Sequence, residues 1–341
     1  MKIKTFKVGN FIIGKPKTVF LVAEIGINHS GKFDLCKKMI IEAAKSGANA
    51  IKLQTIEPSE SYLRNTPSYK EFLNKNFNDE ELYKLKKITE KLGLIFFSTP
   101  GDYKSLVRLK KIGVKLIKIS SGLSTNIPLI EQVSKFNIPM IISTGMAYEN
   151  EIKESVKAAK KFSNKGVGVL KCTSLYPAPD NTINLNSIVT LRDKLKVPVG
   201  YSDHTIDDLT ICSAVSLGAT IIEKHFTLDN KLLKADHKIS MMPKDFLIMS
   251  KKIERILEIL GTKNIVPNLA EQKKRYKTHR YIVARNNIFK GKKISFKDIA
   301  FKRSLKKIKK IKPKEYKLII GKVSKKNIKA DEILNKNFFI K

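Results

Sequence analysis

Short apolar, β-branched runs alternate with amphipathic stretches along most of the chain. The runs occupy residues 18–24, 48–54, 94–99, 114–120, 139–143, 167–173, 197–202 and 220–225. Each is continuously hydrophobic, as in strands covered on both faces. Between the first two, Leu35, Met39, Ile40, Ala43 and Ala44 recur at helical spacing, and Ser46-Gly47 supplies a stop. Similar periodicity predicts helices over 80–92, 103–112, 149–162, 206–217 and 244–260. Eight strand–helix units in about 250 residues match a (β/α)8 TIM barrel, an α/β fold. An open, doubly wound sheet is the other arrangement this alternation allows. The barrel is favoured because polar residues end nearly every run: Glu24, Gln54, Thr99, Ser121, Ser143, Ser174, Ser202, His204 and His225. Barrel enzymes assemble their sites from those strand ends, whereas an open sheet would use only strands near its switch point.

After Gly261 the helical period fails. The barrel is therefore expected to span 1–261, a polar linker 262–280 and a small β-rich domain 281–341, in which 287–295 and 327–334 are weakly self-similar. With 341 residues and 42% hydrophobic content the chain can bury a substantial core. No apolar run approaches the roughly 20 residues that cross a bilayer, and the first residues lack the apolar core of a signal peptide. The expected location is the cytoplasm, with no membrane partner. Cys36, Cys172 and Cys212 are widely spaced and odd in number, which supports neither a disulfide framework nor a cysteine metal knuckle. The formal net charge of +36 is dispersed and carried mostly by lysine, so no nucleic-acid partner is expected. The densest stretch, 302–317, is the best candidate for a polyanion contact, and the excess charge would attract a small anionic substrate.

His29, His204, His225 and His237 fall just beyond the ends of predicted strands 1, 7 and 8. His204 and His225 follow neighbouring strands, so a barrel brings their imidazoles together, an arrangement suited to a divalent ion with open positions. Either alone reads as a hydrogen-bonded rim histidine. Lys52 and Lys118 sit near the ends of strands 2 and 4, where a lysine is costly to bury unless an anion meets it. Hydroxyls at Thr99, Ser121, Ser143 and Ser202 would complete a ring around a phosphate and carboxylate, although serine after a strand is also ordinary turn chemistry. Glu24 ends strand 1 among apolar residues, placed either to move a proton or to pair with a neighbouring lysine. Asp236 lies on a loop after strand 8 that could overhang the site or simply be solvated.

The motifs AEIGINHSG (23–31), KLQT (52–55), STGM (143–146), KCTSLYPAP (171–179), GYSDHT (200–205) and EKHFTLD (223–229) occur in this order. In them the chain resembles the sialic acid synthase family, which makes N-acetylneuraminate, legionaminate or pseudaminate from phosphoenolpyruvate and a six-carbon amino sugar. The C-terminal module resembles the antifreeze-like SAF domain of those enzymes. The resemblance implies condensation of phosphoenolpyruvate with an N-acylmannosamine-type sugar, with N-acetylneuraminate the expected product; legionaminate, pseudaminate and a non-catalytic sugar- or polyanion-binding homologue are alternatives. It places a metal, manganese before magnesium or cobalt, on His204 and His225. Phosphoenolpyruvate falls to Lys52, Thr99, Lys118, Ser121, Ser143, Ser174 and Ser202, and the amino sugar to Glu24, Gln54, Tyr176 and Asp236. Arg303 would reach the sugar from a partner subunit, implying a domain-swapped homodimer. The chain departs from the family pattern at Leu123, where a carboxylate is frequent, at Lys234-Ala235, at Ser304-Leu305 and at Gly101.

Overall fold

The computed structural model describes residues 3–233, 235–305 and 311–340. Lys234, and the part of the lysine-rich stretch between 306 and 310, lie outside the described residues. The chain divides into two compact units, Met1–Gly261 and Thr262–Lys341.

In the first unit eight parallel strands close into a barrel: β1 Phe20–Gly26, β2 Ala50–Thr55, β3 Ile95–Pro100, β4 Ile117–Ile119, β5 Met140–Ser143, β6 Val167–Cys172, β7 Val199–Asp203 and β8 Ile221–His225. Each strand pairs with the next, and β8 pairs with β1. Side chains alternate between the two faces of a strand. Phe20 and Val22 of β1, Ala50 of β2, Phe97 of β3, Ile141 of β5 and Leu170 of β6 form an inner apolar cluster with Leu116 and Ile221. Two residues further along the same strands, the inward positions become Glu24, Lys52, Thr99, Ser143 and Cys172, with Lys118 following Leu116 and Glu223 following Ile221. The barrel interior therefore runs from apolar to charged along the strand direction. The opposite faces pack with the surrounding helices in a larger cluster that includes Ile51, Phe96, Val169 and Ile222.

A hairpin of Phe6–Val8 and Phe11–Ile13 precedes the barrel. Its Phe6, Val8 and Ile13 join the inner apolar cluster and cover the end of the barrel away from the charged layer. Helices start where short polar caps satisfy the first free N–H groups. Asn78 and Glu81 form a capping box at Asp79–Lys91, and Asp102 caps Tyr103–Lys111. The helix Ile127–Lys135 is absent from the periodicity reading because Pro128 reads as a breaker, yet a proline in the first turn lacks only an N–H that would be free anyway. The stretch read as a polar linker contains another helix, Leu269–Thr278, which has no apolar stripe and is held by an Asn268–Glu271 capping box.

In the second unit, Arg280–Ala284 pairs with Ile299–Arg303 and Val323–Ser324 with Phe339–Ile340, both antiparallel. The two self-similar segments face one another through an Ile288–Ile328 bridge. Their leading asparagines exchange equivalent bonds: Lys290 N–H donates to Asn327 Oδ1 and Ala330 N–H to Asn287 Oδ1, each at 2.8 Å. Ile282, Ile294, Ile319, Leu334 and Phe339 complete a small core of their own.

Candidate functional site

The strand register alone assembles much of the site. Glu24 lies level with Lys52 on β2 and with His225 on β8, and Cys172 level with Ser202. Above the apolar cluster the strand ends enclose a cavity of about 530 Å3. Of the residues singled out in the sequence, Glu24, Lys52, Gln54, Thr99, Lys118, Ser121, Ser143, Ser174, Tyr176, Ser202, His204 and His225 line it. Asp236 borders it through His225, with its carboxylate 3.6 Å from Nδ1. Arg303 belongs to the second unit, exposed at the end of its strand. His29 and His237 do not line the cavity: His29 packs on the Phe77 ring at 4.4 Å, and His237 bonds the Thr227 hydroxyl.

The floor carries two ammonium groups and two carboxylates, all buried. Lys52 Nζ lies 2.9 Å from Glu24 and 3.6 Å from Glu223, and Lys118 Nζ lies 3.3 Å from Glu223. Sequence reasoning misses Glu223, yet it joins both lysines and accepts a 3.0 Å bond from the Ser202 hydroxyl. Its spacing is the available signal, because a residue two before His225 on one strand shares its face. Burial works against its charge, but Lys118, Lys52 and Ser202 outweigh that and hold the Glu223 carboxyl well below the usual range. Glu24 behaves oppositely: burial, with the charge of Glu223, raises its pKa in spite of Lys52 and Gln54. Burial lowers the Lys118 pKa, whereas Lys52, facing both carboxylates, is raised.

Among the described residues, four buried polar atoms of this cavity have no hydrogen-bond partner: Glu24 Oε2, Ser143 Oγ, Ser174 Oγ and His225 Nδ1. Buried polar atoms are nearly always paired within a protein, so such a concentration is the mark of a surface built to meet a ligand. The backbone is shaped for the same purpose. A Cβ on Gly145 would lie 2.3 Å from Ser174 Oγ and 2.7 Å from Ser121 Oγ, so a side chain there would displace both hydroxyls.

The His204 and His225 rings lie 5.5 Å apart, and Tyr176 stacks on His204 at 4.1 Å. His204 Nδ1–H donates to the Thr173 carbonyl at 2.7 Å, which leaves the other ring nitrogen available as an acceptor or ligand. Burial holds the His225 pKa well below its ordinary value, so this imidazole is neutral, the form that coordinates a cation. Among the described residues no group of three or more His, Cys, Asp or Glu is arranged to hold a metal. Two imidazoles alone would leave the remaining positions of any ion to substrate or water. Behind them, Asp203 and Lys224 form a fully buried ion pair, each one residue from a histidine. Asp203 also accepts from Thr205 N–H and from the Thr205 and Thr210 hydroxyls, while Lys224 donates to the Thr205 carbonyl.

Residues 39–265 match the NeuB family and residues 279–340 the SAF domain. The chain is 34% identical to the N,N'-diacetyllegionaminic acid synthase of Campylobacter jejuni, over 93% of this chain and 99% of that protein. It is 31% identical to the pseudaminic acid synthase of the same organism, over 98% and 99%. Among solved structures, the N-acetylneuraminic acid synthetase of Leptospira borgpetersenii in complex with citrate superposes with a TM-score of 0.76 at 37% identity, covering 80% of this chain and 95% of that one.

Proposed function

Because the chain belongs to the NeuB family of sialic-acid-type synthases, we propose that it condenses phosphoenolpyruvate and water with an N-acylmannosamine-type sugar, giving a nonulosonic acid and phosphate. The observation that carries this reading is the pair of buried lysines beside unpartnered hydroxyls, on the same strand ends as two adjacent imidazoles. Lys52 and Lys118 would hold the carboxylate and phosphate of phosphoenolpyruvate, with Ser143 and Ser174 donating to its oxygens. Lys52 and Lys118 already face Glu24 and Glu223, so the carboxylate and phosphate of an incoming phosphoenolpyruvate leave the cavity with excess negative charge. That excess favours departure of phosphate once the new carbon–carbon bond has formed and water has added. Glu24, whose raised pKa allows it to hold or release a proton, would serve the sugar hydroxyls or aldehyde together with Gln54. A divalent ion on His204 and His225, manganese by family resemblance, would supply Lewis acidity toward the aldehyde oxygen. Arg303, in a homodimer, is assigned to the sugar on the same resemblance.

A 2,4-diacetamido-6-deoxy sugar is the second reading. Ile56, Leu123 and Met146 are among the lining residues and offer a methyl group more than they offer a hydroxyl, and a legionaminic acid synthase is among the relatives. The test is phosphate release from phosphoenolpyruvate with N-acetylmannosamine, with the deoxy analogue or with no sugar, before and after chelation. Release that needs both a sugar and a divalent ion supports the proposal. No release with any sugar, or a His225→Ala variant with near-normal metal-dependent turnover, overturns it.

A further inference from the structure

Lys171 is a charged group the proposed reaction does not use. It sits on β6, and because side chains alternate there it points outward, on the face where Val167 and Val169 are buried against the helices. Its Nζ donates to the Cys172 carbonyl at 3.0 Å and the Thr173 hydroxyl at 3.3 Å, and among the described residues no carboxylate lies within ion-pair distance of it. Partial burial lowers its pKa. It opens onto a cavity of about 210 Å3, separate from the barrel mouth, whose walls include Ala147, Ile152, Leu191 and Leu195. At the rim Lys194 is taken up by Glu149 at 2.7 Å, so among the described residues of this cleft Lys171 is the cation left without an acidic partner.

Beside Thr144, Asn184, Ser187 and Thr190 the cleft offers the apolar side chains of Ala147, Ile152, Leu191 and Leu195, so its ammonium group is matched by a molecule that pairs one carboxylate with a short hydrocarbon body. We infer that this cleft between β6, the helix Glu149–Ala159 and the helix Ser187–Leu195 is a binding site for a small amphipathic monocarboxylate, its charge met by Lys171 and its body by Leu191 and Ile152. A dianion such as phosphate fits less well, because Glu149 also lines the cleft and already takes up Lys194, which leaves one ammonium group to meet the charge. The volume, about seven times that of a liquid water molecule, admits a ring or branched chain of a few carbons. The connection to the barrel is short: the Thr173 hydroxyl that Nζ holds belongs to the residue whose carbonyl accepts from His204.

The experiment is calorimetric titration of the full-length protein with benzoate, using benzamide as the neutral isostere. Benzoate should bind at one site and benzamide at least tenfold more weakly. Lys171→Met should weaken benzoate at least tenfold, as should Ala147→Phe, which fills the cleft while keeping the ammonium. Absence of benzoate binding, equal binding of benzamide, or benzoate binding that both variants leave unchanged would overturn the assignment; the last would place the benzoate elsewhere on the protein.

Discussion

The buried ion pair behind the imidazoles gives the sharpest energetic prediction. Asp203 and Lys224 are both fully buried, so neither solvent nor salt screens their interaction. Replacing Lys224 with methionine keeps most of the volume but leaves Asp203 charged in a dry layer. It retains other donors, among them Thr205 N–H and the hydroxyls of Thr205, Thr210 and Tyr201, which hold part of the charge. The Thr205 carbonyl loses its Lys224 donor as well. Removing one partner of such a pair costs roughly 3–5 kcal/mol, and the surviving donors argue for the lower half of that range. Removing both charges in Asp203→Asn/Lys224→Met leaves no orphaned ion, keeps an acceptor for those donors and should recover most of the loss. Urea denaturation of the full-length protein, followed by far-ultraviolet circular dichroism, measures the three variants against the parent through the transition of the barrel unit. A Lys224→Met cost below about 1 kcal/mol, or a double variant as unstable as the sum of the two single ones, would refute the reasoning.

Glu223→Gln should tighten inorganic phosphate while lowering turnover. With Lys52 and Lys118 then facing Glu24 alone, the gain is on the order of 1–2 kcal/mol for one charge removed several ångströms away, and calorimetry showing unchanged or weaker phosphate binding would count against it. His29 contributes a pH dependence to stability. Burial pushes its pKa from 6.5 down to about 4, so the unfolded chain takes up a proton first. Its contribution is whole above pH 6.5 and is lost as pH falls toward about 4, a change of about 3 kcal/mol. His29→Gln should flatten the stability profile across that window; an unchanged slope would show that other groups produce it.

The barrel is legible because its strands are buried on both faces and so read as unbroken apolar runs, with polar residues at one end only. The site follows from the same pattern, since strand ends in sequence become neighbours in a closed sheet. Glu223 escapes because it lies inside such a run, where a carboxylate reads as an irregularity until the lysines it meets are seen on other strands. The Asp203–Lys224 pair is hidden differently: each is adjacent to a histidine but points to the opposite face, and nothing in the local sequence tells a buried charge from a rim charge. His29 and His237 show the converse, resembling site residues by position while packing on Phe77 and Thr227.

Most barrel strands cross from the hydrocarbon end to the polar end within a single step of their alternation, as from Val22 to Glu24 or from Ala50 to Lys52. The site is thus mounted on its own foundation with no intervening layer. A larger side chain at Ala50 or Ile141 would push on the reacting groups through one residue of rigid strand, so evolution of a new substrate preference is freer in the loops and at Leu123 than anywhere on the barrel floor.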